Sequence, residues 1–189
     1  MAEESQDFGV STFLSNFSQG GALASLFHVE VTSPIADATN FQFMCKTASF
    51  PSSEITANEI SYMGRPINIP GNRESQQWTT EVYNDEDHLI RSELLKWMDN
   101  INGHSTNKRS KGVIALSTYS GTLHVSQHTK TAEAVTNKVS FFNAWPSAVA
   151  EITLDWETNE IQTYEVTWEF SHWAQTAGSI GGDTSDDGS

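Results

Sequence analysis

The feature that most constrains the fold is a strict alternation of side chains near the end of the chain. The larger apolar or aromatic members are Tyr164, Val166, Trp168, Phe170 and His172, and the residues between them are Glu165, Thr167, Glu169 and Ser171. Successive side chains of an extended chain point to opposite faces, so the pattern predicts a strand with one face in a core. The other face is polar, meets water and carries two carboxylates. It could meet bulk solvent, a catalytic cleft or an enclosed channel.

Similar alternation recurs along the chain and predicts a mainly β domain over residues 25–173. Aromatic residues make up 11% of the chain, which suits β-structure. The predicted strands are 25–31, 41–46, 77–83, 112–117, 121–127, 135–145, 151–156 and 160–173. The last two, separated by Glu-Thr-Asn-Glu, are expected to form a hairpin.

One helix is predicted, over about residues 85–101. Asn84 or Asp85 can cap it, and the acidic residues 85–87 would lie where the helix dipole favours negative charge. An apolar stripe predicts packing on a sheet, and its members are Ile90, Leu94, Trp97, Met98 and Ile101. Arg91, Glu93, Lys96 and Asp99 are expected to face outward, with Gly103 as the stop signal.

Four further segments are set apart by composition. Residues 51–77 hold three prolines and two glycines between short extended pieces, which predicts a long projecting arm. Residues 1–24 form an N-terminal arm whose Phe13 and Phe17 could dock on a neighbouring subunit. Residues 174–189 read as a flexible acidic tail. Residues 105–112 form a basic cluster, either a solvated loop or a contact with an acidic neighbour.

The charge of the chain limits the classes of function. The formal net charge is −14, from 24 acidic and 10 basic residues, which argues against gripping nucleic acid. The single cysteine, Cys45, excludes an intramolecular disulfide. The first residues lack the features of a signal peptide, and no apolar run approaches the ~20 residues of a membrane span. We therefore expect synthesis in a cytosol and no membrane insertion of the subunit.

No motif predicts catalysis, a metal or a cofactor. His124 and His128 lie too far apart on an extended chain to share a metal with a third ligand. Glu165 and Glu169 would be roughly 13 Å apart on one strand, beyond the spacing of a glycosidase pair. Neither a nucleophile elbow nor a phosphate-binding loop occurs in the sequence.

Two segments together carry a resemblance to a known family. They are YMGRPINIPGNRESQQWTTEVYNDEDHLIRSELLKWMDNING (62–103) and FFNAWPSAVAEITLDWETNEIQTYEVTWEFSHW (141–173). The first resembles the Tyr-Met-Gly-Arg loop, Trp strand, Asn-Asp-Glu-Asp turn and Trp-Met helix of the tail tube protein of contractile-tailed bacteriophages. The second resembles that family's aromatic-Pro turn and final aromatic strand. The likeness runs from about Ser25 to Trp173.

The resemblance implies a β-barrel-like sandwich with one flanking helix, in a structural protein of the virion. Six subunits would form a ring, and stacked rings would form a tube inside the sheath. DNA would pass through the lumen of this tube. The implied partners are copies of the chain itself, the tail sheath protein, and baseplate and tail-terminator proteins. The implied subunit or ring interface comprises Phe13, Phe17, Tyr62, Met63, Gly64, Arg65 and Arg73. The candidate lumen face comprises Glu165, Thr167 and Glu169.

Two other functions are weighed. One is the inner tube of a related contractile injection system that carries protein effectors. The other is an unrelated monomeric binding module or enzyme.

Overall fold

The computed structural model describes residues 10–16, 20–35, 41–131 and 134–177. Strands dominate, and the longest described helix flanks them, as predicted. The elements are α1 (Val10–Asn16), β1 (Phe27–Thr32), α2 (Phe41–Met44), β2 (Cys45–Thr47), β3 (Glu54–Tyr62), β4 (Arg65–Glu74), β5 (Trp78–Tyr83), α3 (Leu89–Ile101), α4 (Leu116–Tyr119), β6 (Gly121–His128), β7 (Val135–Val149), β8 (Thr163–Glu169) and β9 (His172–Ala177).

The main sheet has the order β1-β6-β7-β8-β5-β2, with β9 also on β7, and every pairing is antiparallel. The fifteen-residue β7 organises it. Its first part pairs with β6 and β9, and its last part pairs with β8. Register shifts near Pro146 and opposite Gly121 bend the sheet over itself, as bulges do. The result is a nearly closed, barrel-like sandwich, which confirms the predicted fold class.

The core lies on one face of β5 and β8. Trp78 and Val82 are buried from β5, and Val166 and Trp168 are buried from β8. The buried Thr80 accepts a hydrogen bond from the Trp168 indole N–H at 3.0 Å. Alternation therefore decides which residues of these strands face inward, and it places Glu165 on the opposite face.

Helix α3 begins at Leu89, four residues after the predicted start. The turn before it holds His88 in a left-handed conformation, with φ of 52°. The carboxylate of Asp85 accepts the backbone N–H of Leu89 at 3.2 Å, so it satisfies the helix start from outside the helix. A tight turn therefore forms where the first turn of the helix was predicted. The acidic residues 85–87 lie in this turn region and precede the helix.

Most residues of the predicted apolar stripe of α3 are buried in the core. Ile90, Leu94 and Trp97 are buried, whereas Met98 and Ile101 are half-buried. Arg91 does not face outward as expected. Its guanidinium donates a hydrogen bond to the Ala150 carbonyl at 2.7 Å and lies over the ring of Tyr164, 5.1 Å from the centroid.

Two predicted strands are wrong. Residues 41–44 form the short helix α2, and only 45–47 continue as a strand. Phe41 is fully buried, with its ring edge-on to Trp168 at 5.9 Å, so a core contact fixes this turn. Residues 112–117 also form no strand. Residues 112–115 are irregular, and the four-residue helix α4 begins at Leu116. The carbonyl of Tyr119 at the end of α4 accepts the indole N–H of Trp97.

The predicted hairpin of 151–156 and 160–173 is wrong as well. Residues 151–162 are irregular, since β8 pairs directly with the end of β7, with Val149 opposite Val166. The predicted single strand also breaks at 170–171, and β9 turns onto the first part of β7. Strand β9 runs to Ala177, so residues 174–177 are paired and not part of a tail. The rest of the predicted tail lies outside the described residues.

Candidate assembly surfaces

Strands β3 and β4 form a long two-stranded hairpin at the predicted arm. They pair over nearly their full length, from Glu54 opposite Glu74 to Tyr62 opposite Arg65. The turn consists of Met63 and Gly64, with φ of 50° and 78°. Positive φ at both central residues is the hairpin turn that matches strand twist, and glycine adopts it without steric cost.

The hairpin stands apart from the main sheet, and in the described part of the chain its strands pair only with each other. Its side chains are almost all exposed, although several are large and apolar. Met63 at the tip is 88% exposed. The other exposed apolar side chains are Ile55, Ile60, Tyr62, Ile67 and Ile69. Arg73 is also exposed, opposite Ile55. A lone two-stranded hairpin is marginally stable in water, so this surface is suited to burial against a partner.

The N-terminal arm contributes a second exposed apolar surface. Helix α1 presents Val10, Phe13 and Leu14, all more than half exposed. Phe17 lies outside the described residues.

Three strands leave one edge open within the described residues. Strand β1 pairs only with β6, β2 only with β5, and β9 only with β7. An open edge presents unpaired N–H and C=O groups that can pair with another chain. These edges are therefore surfaces at which a neighbouring copy could add strands.

The polar face of β5 and β8 carries Glu165, Thr167 and Glu169, as the alternation predicted. Glu165 is exposed and lies opposite Glu81, while Thr167 lies opposite Thr79. Glu169 accepts a hydrogen bond from the Gln77 amide. This side of the sheet is thus hydrophilic, and most of its charge is negative.

Lys46 partly neutralises that negative charge. Lys46 Nζ donates to the Glu81 carboxylate at 2.7 Å. This hydrogen bond lowers the pKa of Glu81 and raises the pKa of Lys46. Glu81 is therefore held as a paired carboxylate, which leaves Glu165 as an exposed negative charge on this face.

Reactive chemistry is not assembled in the described residues. Burial raises the pKa of the Cys45 thiol to about 12, with a smaller contribution from the charge of Glu81. The thiol therefore stays protonated and is a poor nucleophile. No group of three or more His, Cys, Asp or Glu side chains in these ranges could hold a metal ion. None of the described helices is long and apolar enough to cross a bilayer.

One exposed surface was not predicted from the sequence. Residues 151–162 present Leu154, Trp156 and Ile161 to solvent, and Trp156 is fully exposed. The alternation of Ile152, Leu154 and Trp156 predicted a paired strand. The signal that could have identified a surface loop is the density of carboxylates around these apolar residues.

Comparison with known proteins identifies relatives over most of the chain. The family model described as phage tail tube protein matches residues 7–176. The chain is 34% identical over 153 residues to tail tube protein gp19 of Enterobacteria phage T4, covering 80% of this chain and 90% of that protein.

Solved structures share the fold at low identity. The anti-feeding prophage cap, which terminates that tube, has a TM-score of 0.64 at 17% identity, covering 94% of this chain and all of that one. The sheath/tube terminator structure of the extracellular contractile injection system PVC has a TM-score of 0.63 at 16% identity. It covers 83% of this chain and 97% of that chain.

Proposed function

The chain belongs to the phage tail tube protein family and is a structural subunit of a tail tube, and on that premise we propose that six copies close into a ring and that rings stack into a hollow tube. The subunit is a component of the virion tail and not an enzyme. In this proposal the tube lies inside the contractile sheath and guides DNA to the host. Its action is mechanical and needs no cofactor.

The observation that carries this proposal is the exposed hairpin of β3 and β4. Its apolar side chains have no packing partner sufficient to bury them within the described part of the subunit, and its tip residues Tyr62 and Met63 are the most exposed among them. Burying such side chains is worth roughly 1.5–3 kcal/mol each. We assign the hairpin to contacts with an adjacent ring, with Gly64 shaping the tip, Arg65 beside the tip and Arg73 at the base of the hairpin. Phe13 and Phe17 of the N-terminal arm would join these contacts.

Ring closure would use the open strand edges. Pairing β1, β2 and β9 with strands of neighbouring copies satisfies their free backbone groups. A closed ring of strands leaves no edge available for aggregation. The subunit's barrel-like sandwich would then become part of one continuous barrel around a bore.

The bore would be lined by the polar face of β5 and β8. Helix α3 packs on the core side of these strands, so Glu165, Thr167 and Glu169 lie on the side away from the helix. A wall with net negative charge repels phosphate, and DNA could slide along it without sticking. The overall charge of −14 agrees with this assignment.

Sheath, baseplate and terminator proteins are the proposed partners of the finished tube. The structures with the same fold include a tube-terminating cap and a sheath/tube terminator, and this supports such contacts here. The second candidate function is the inner tube of an injection system that carries protein effectors. Those structures are only 16–17% identical and share the fold alone, whereas the phage relative is 34% identical. We therefore favour the phage tail.

Shortening the hairpin tests the proposal. A variant in which the paired residues 57–70 are replaced by a two-residue Asn-Gly turn should keep its fold and form rings, but it should not stack them. Sedimentation and electron microscopy of the purified wild-type and variant chains separate rings from tubes. Tubes of normal length from the shortened chain would contradict the assigned role of the hairpin.

A further inference from the structure

Two surfaces of opposite charge lie at opposite ends of α3. We call residues 151–162 the acidic loop and residues 105–112 the basic loop. The acidic loop contains four carboxylates and no Lys or Arg, and the basic loop contains Lys108, Arg109 and Lys111 and no carboxylate. Three of the ten basic residues of a chain with net charge −14 thus lie within four positions. The basic loop therefore differs in charge from the acidic chain as a whole.

The basic loop is held in shape by hydrogen bonds at its base. The Gly103 N–H donates to the Lys108 carbonyl at 2.9 Å, and the Asn107 N–H donates to the Gly103 carbonyl at 2.8 Å. A side chain at Gly103 would meet the Lys108 carbonyl at 3.1 Å and the Thr106 hydroxyl at 2.6 Å, so this close approach requires glycine. The three basic side chains are exposed, and within the described residues none of them forms an ion pair. The loop therefore presents a fixed positive surface.

The acidic loop is anchored at both of its ends near the start of α3. Arg91 binds the Ala150 carbonyl at 2.7 Å, and the Asn84 N–H donates to the Gln162 carbonyl at 2.9 Å. Between these anchors Trp156 is fully exposed, flanked by the exposed carboxylates of Asp155 and Glu157. Tryptophan is enriched among the residues that contribute most to binding at protein interfaces.

A groove able to receive this tryptophan runs along α3 from Ser92 to the far end of the helix. It has a volume of about 820 Å³, and its apolar lining includes Leu95, Met98, Ile101 and Trp145. The groove reaches His104, immediately before the basic loop. The lining also includes the charged Lys96 and Asp99, so the positive charge that complements the two carboxylates beside Trp156 comes from the basic loop beyond His104.

The two surfaces do not meet within the described subunit, where Trp156 is fully exposed and does not line the groove. Helix α3 has 13 residues, so its ends lie about 18 Å apart at 1.5 Å per residue. Complementary patches at opposite ends of one molecule produce head-to-tail association, which forms closed rings or stacks. We propose that the acidic loop of one subunit docks on the basic loop of a second copy, with Trp156 seated in the groove beside α3.

This inference rests on the proposed tube assembly and names one of its contacts. In an assembly of identical acidic subunits, the basic loop would contact an acidic neighbour. The interface would be sensitive to salt, since the charged groups are exposed.

Charge exchange tests the contact. One variant carries Lys108→Glu with Lys111→Glu, a second carries Asp155→Lys with Glu157→Lys, and a third carries all four changes. We expect each two-residue variant to raise the concentration needed for assembly by about tenfold or more, and the third variant to restore assembly. The third variant has the wild-type net charge, whereas the second moves it from −14 to −10 by replacing two acids with two bases. A general effect of repulsion would therefore improve assembly of the second variant.

Lys108→Arg with Lys111→Arg is the matched control, and it should assemble normally. Far-ultraviolet circular dichroism checks that each variant is folded. Wild-type assembly by either two-residue variant would overturn this inference. Failure of the folded four-residue variant to assemble would overturn it too. Neither result would contradict the proposed tube itself. A wild-type chain that stays monomeric would instead contradict the proposed function itself, and this inference with it.

Discussion

Trp97 of α3 meets Trp168 of β8 edge-on, with ring centroids 6.0 Å apart, and both side chains are fully buried. This contact fixes the helix to one face of the strand. Because side chains alternate along a strand, the same contact directs Glu165 and Glu169 to the other face. In the proposed tube, the helix therefore lies on the outer side and the carboxylates lie toward the bore.

Replacing Trp97 with Ala should destabilise the subunit by about 3–5 kcal/mol, the usual cost of removing a large buried aromatic side chain. The change also removes the hydrogen bond from the indole to the Tyr119 carbonyl. Denaturant unfolding measures the loss. Leu95→Ala, an exposed position on the same helix, is the control and should cost far less. Equal losses would contradict the packing described here.

Replacing Tyr164 with Phe should leave stability unchanged or raise it by about 1 kcal/mol. The Tyr164 hydroxyl is buried and has no hydrogen-bond partner among the described residues. Burial raises its pKa to about 12, so it carries no charge near neutral pH. Thermal unfolding checks this prediction, and a marked loss of stability would reveal a partner for the hydroxyl.

Stability should fall as the pH drops below about 6.5, in part because of His124. Burial, and secondarily the nearby Lys138, lower the pKa of His124, while Glu30 opposes this effect. A group with a lowered pKa in the folded state contributes stability above its unfolded pKa and loses it as the pH falls. His124→Asn should reduce this slope in denaturant unfolding between pH 7.5 and 5. The exposed His172→Asn is the control, and an unchanged slope in His124→Asn would contradict the assignment.

Met63→Asp should block growth of the tube and leave the subunit folded. Met63 is at the tip of the hairpin, where a charge cannot be buried against an adjacent ring without a large cost. Met63→Leu keeps an apolar tip and should assemble. Negative-stain micrographs count tubes for both variants. Normal tubes from Met63→Asp would argue against burial of the tip.

Glu165→Lys with Glu169→Lys should give tubes that retain DNA at low salt. The change replaces two negative charges of the proposed bore with positive ones, which attract phosphate. Co-sedimentation of tubes with single-stranded DNA measures the effect. Glu86→Lys with Asp87→Lys makes the same charge change at exposed positions before α3. Equal retention by both variants would place the first pair outside the bore.

The sequence predicted those parts of the fold in which periodicity and burial agree. Trp78, Thr80 and Val82 alternate inward along the predicted strand 77–83, and Leu94 and Trp97 lie on the buried side of α3. The hairpin was predictable because its prolines and glycines interrupt any helix and Met63-Gly64 can form its turn. These signals are local and do not depend on distant contacts.

The errors arose where distant contacts decide the conformation. Phe41 enters the core through a helical turn because Trp168 is there to receive it. Residues 151–156 alternate like a strand, but β8 pairs with the end of β7 and leaves them unpaired within the described residues. The assembly surfaces were only partly predictable for the same reason. Exposure of Trp156 depends on which strand β8 selects, and a sequence pattern does not specify that choice.

The most direct test of the account is a cryo-electron microscopy map of the assembled wild-type protein. We predict stacked six-fold rings around an open bore, with Glu165 and Glu169 on its wall, α3 on the outer surface and the hairpin of β3 and β4 in contact with the next ring. A protein that remains monomeric at high concentration, or a tube with Glu165 and Glu169 on its outer surface, would contradict it.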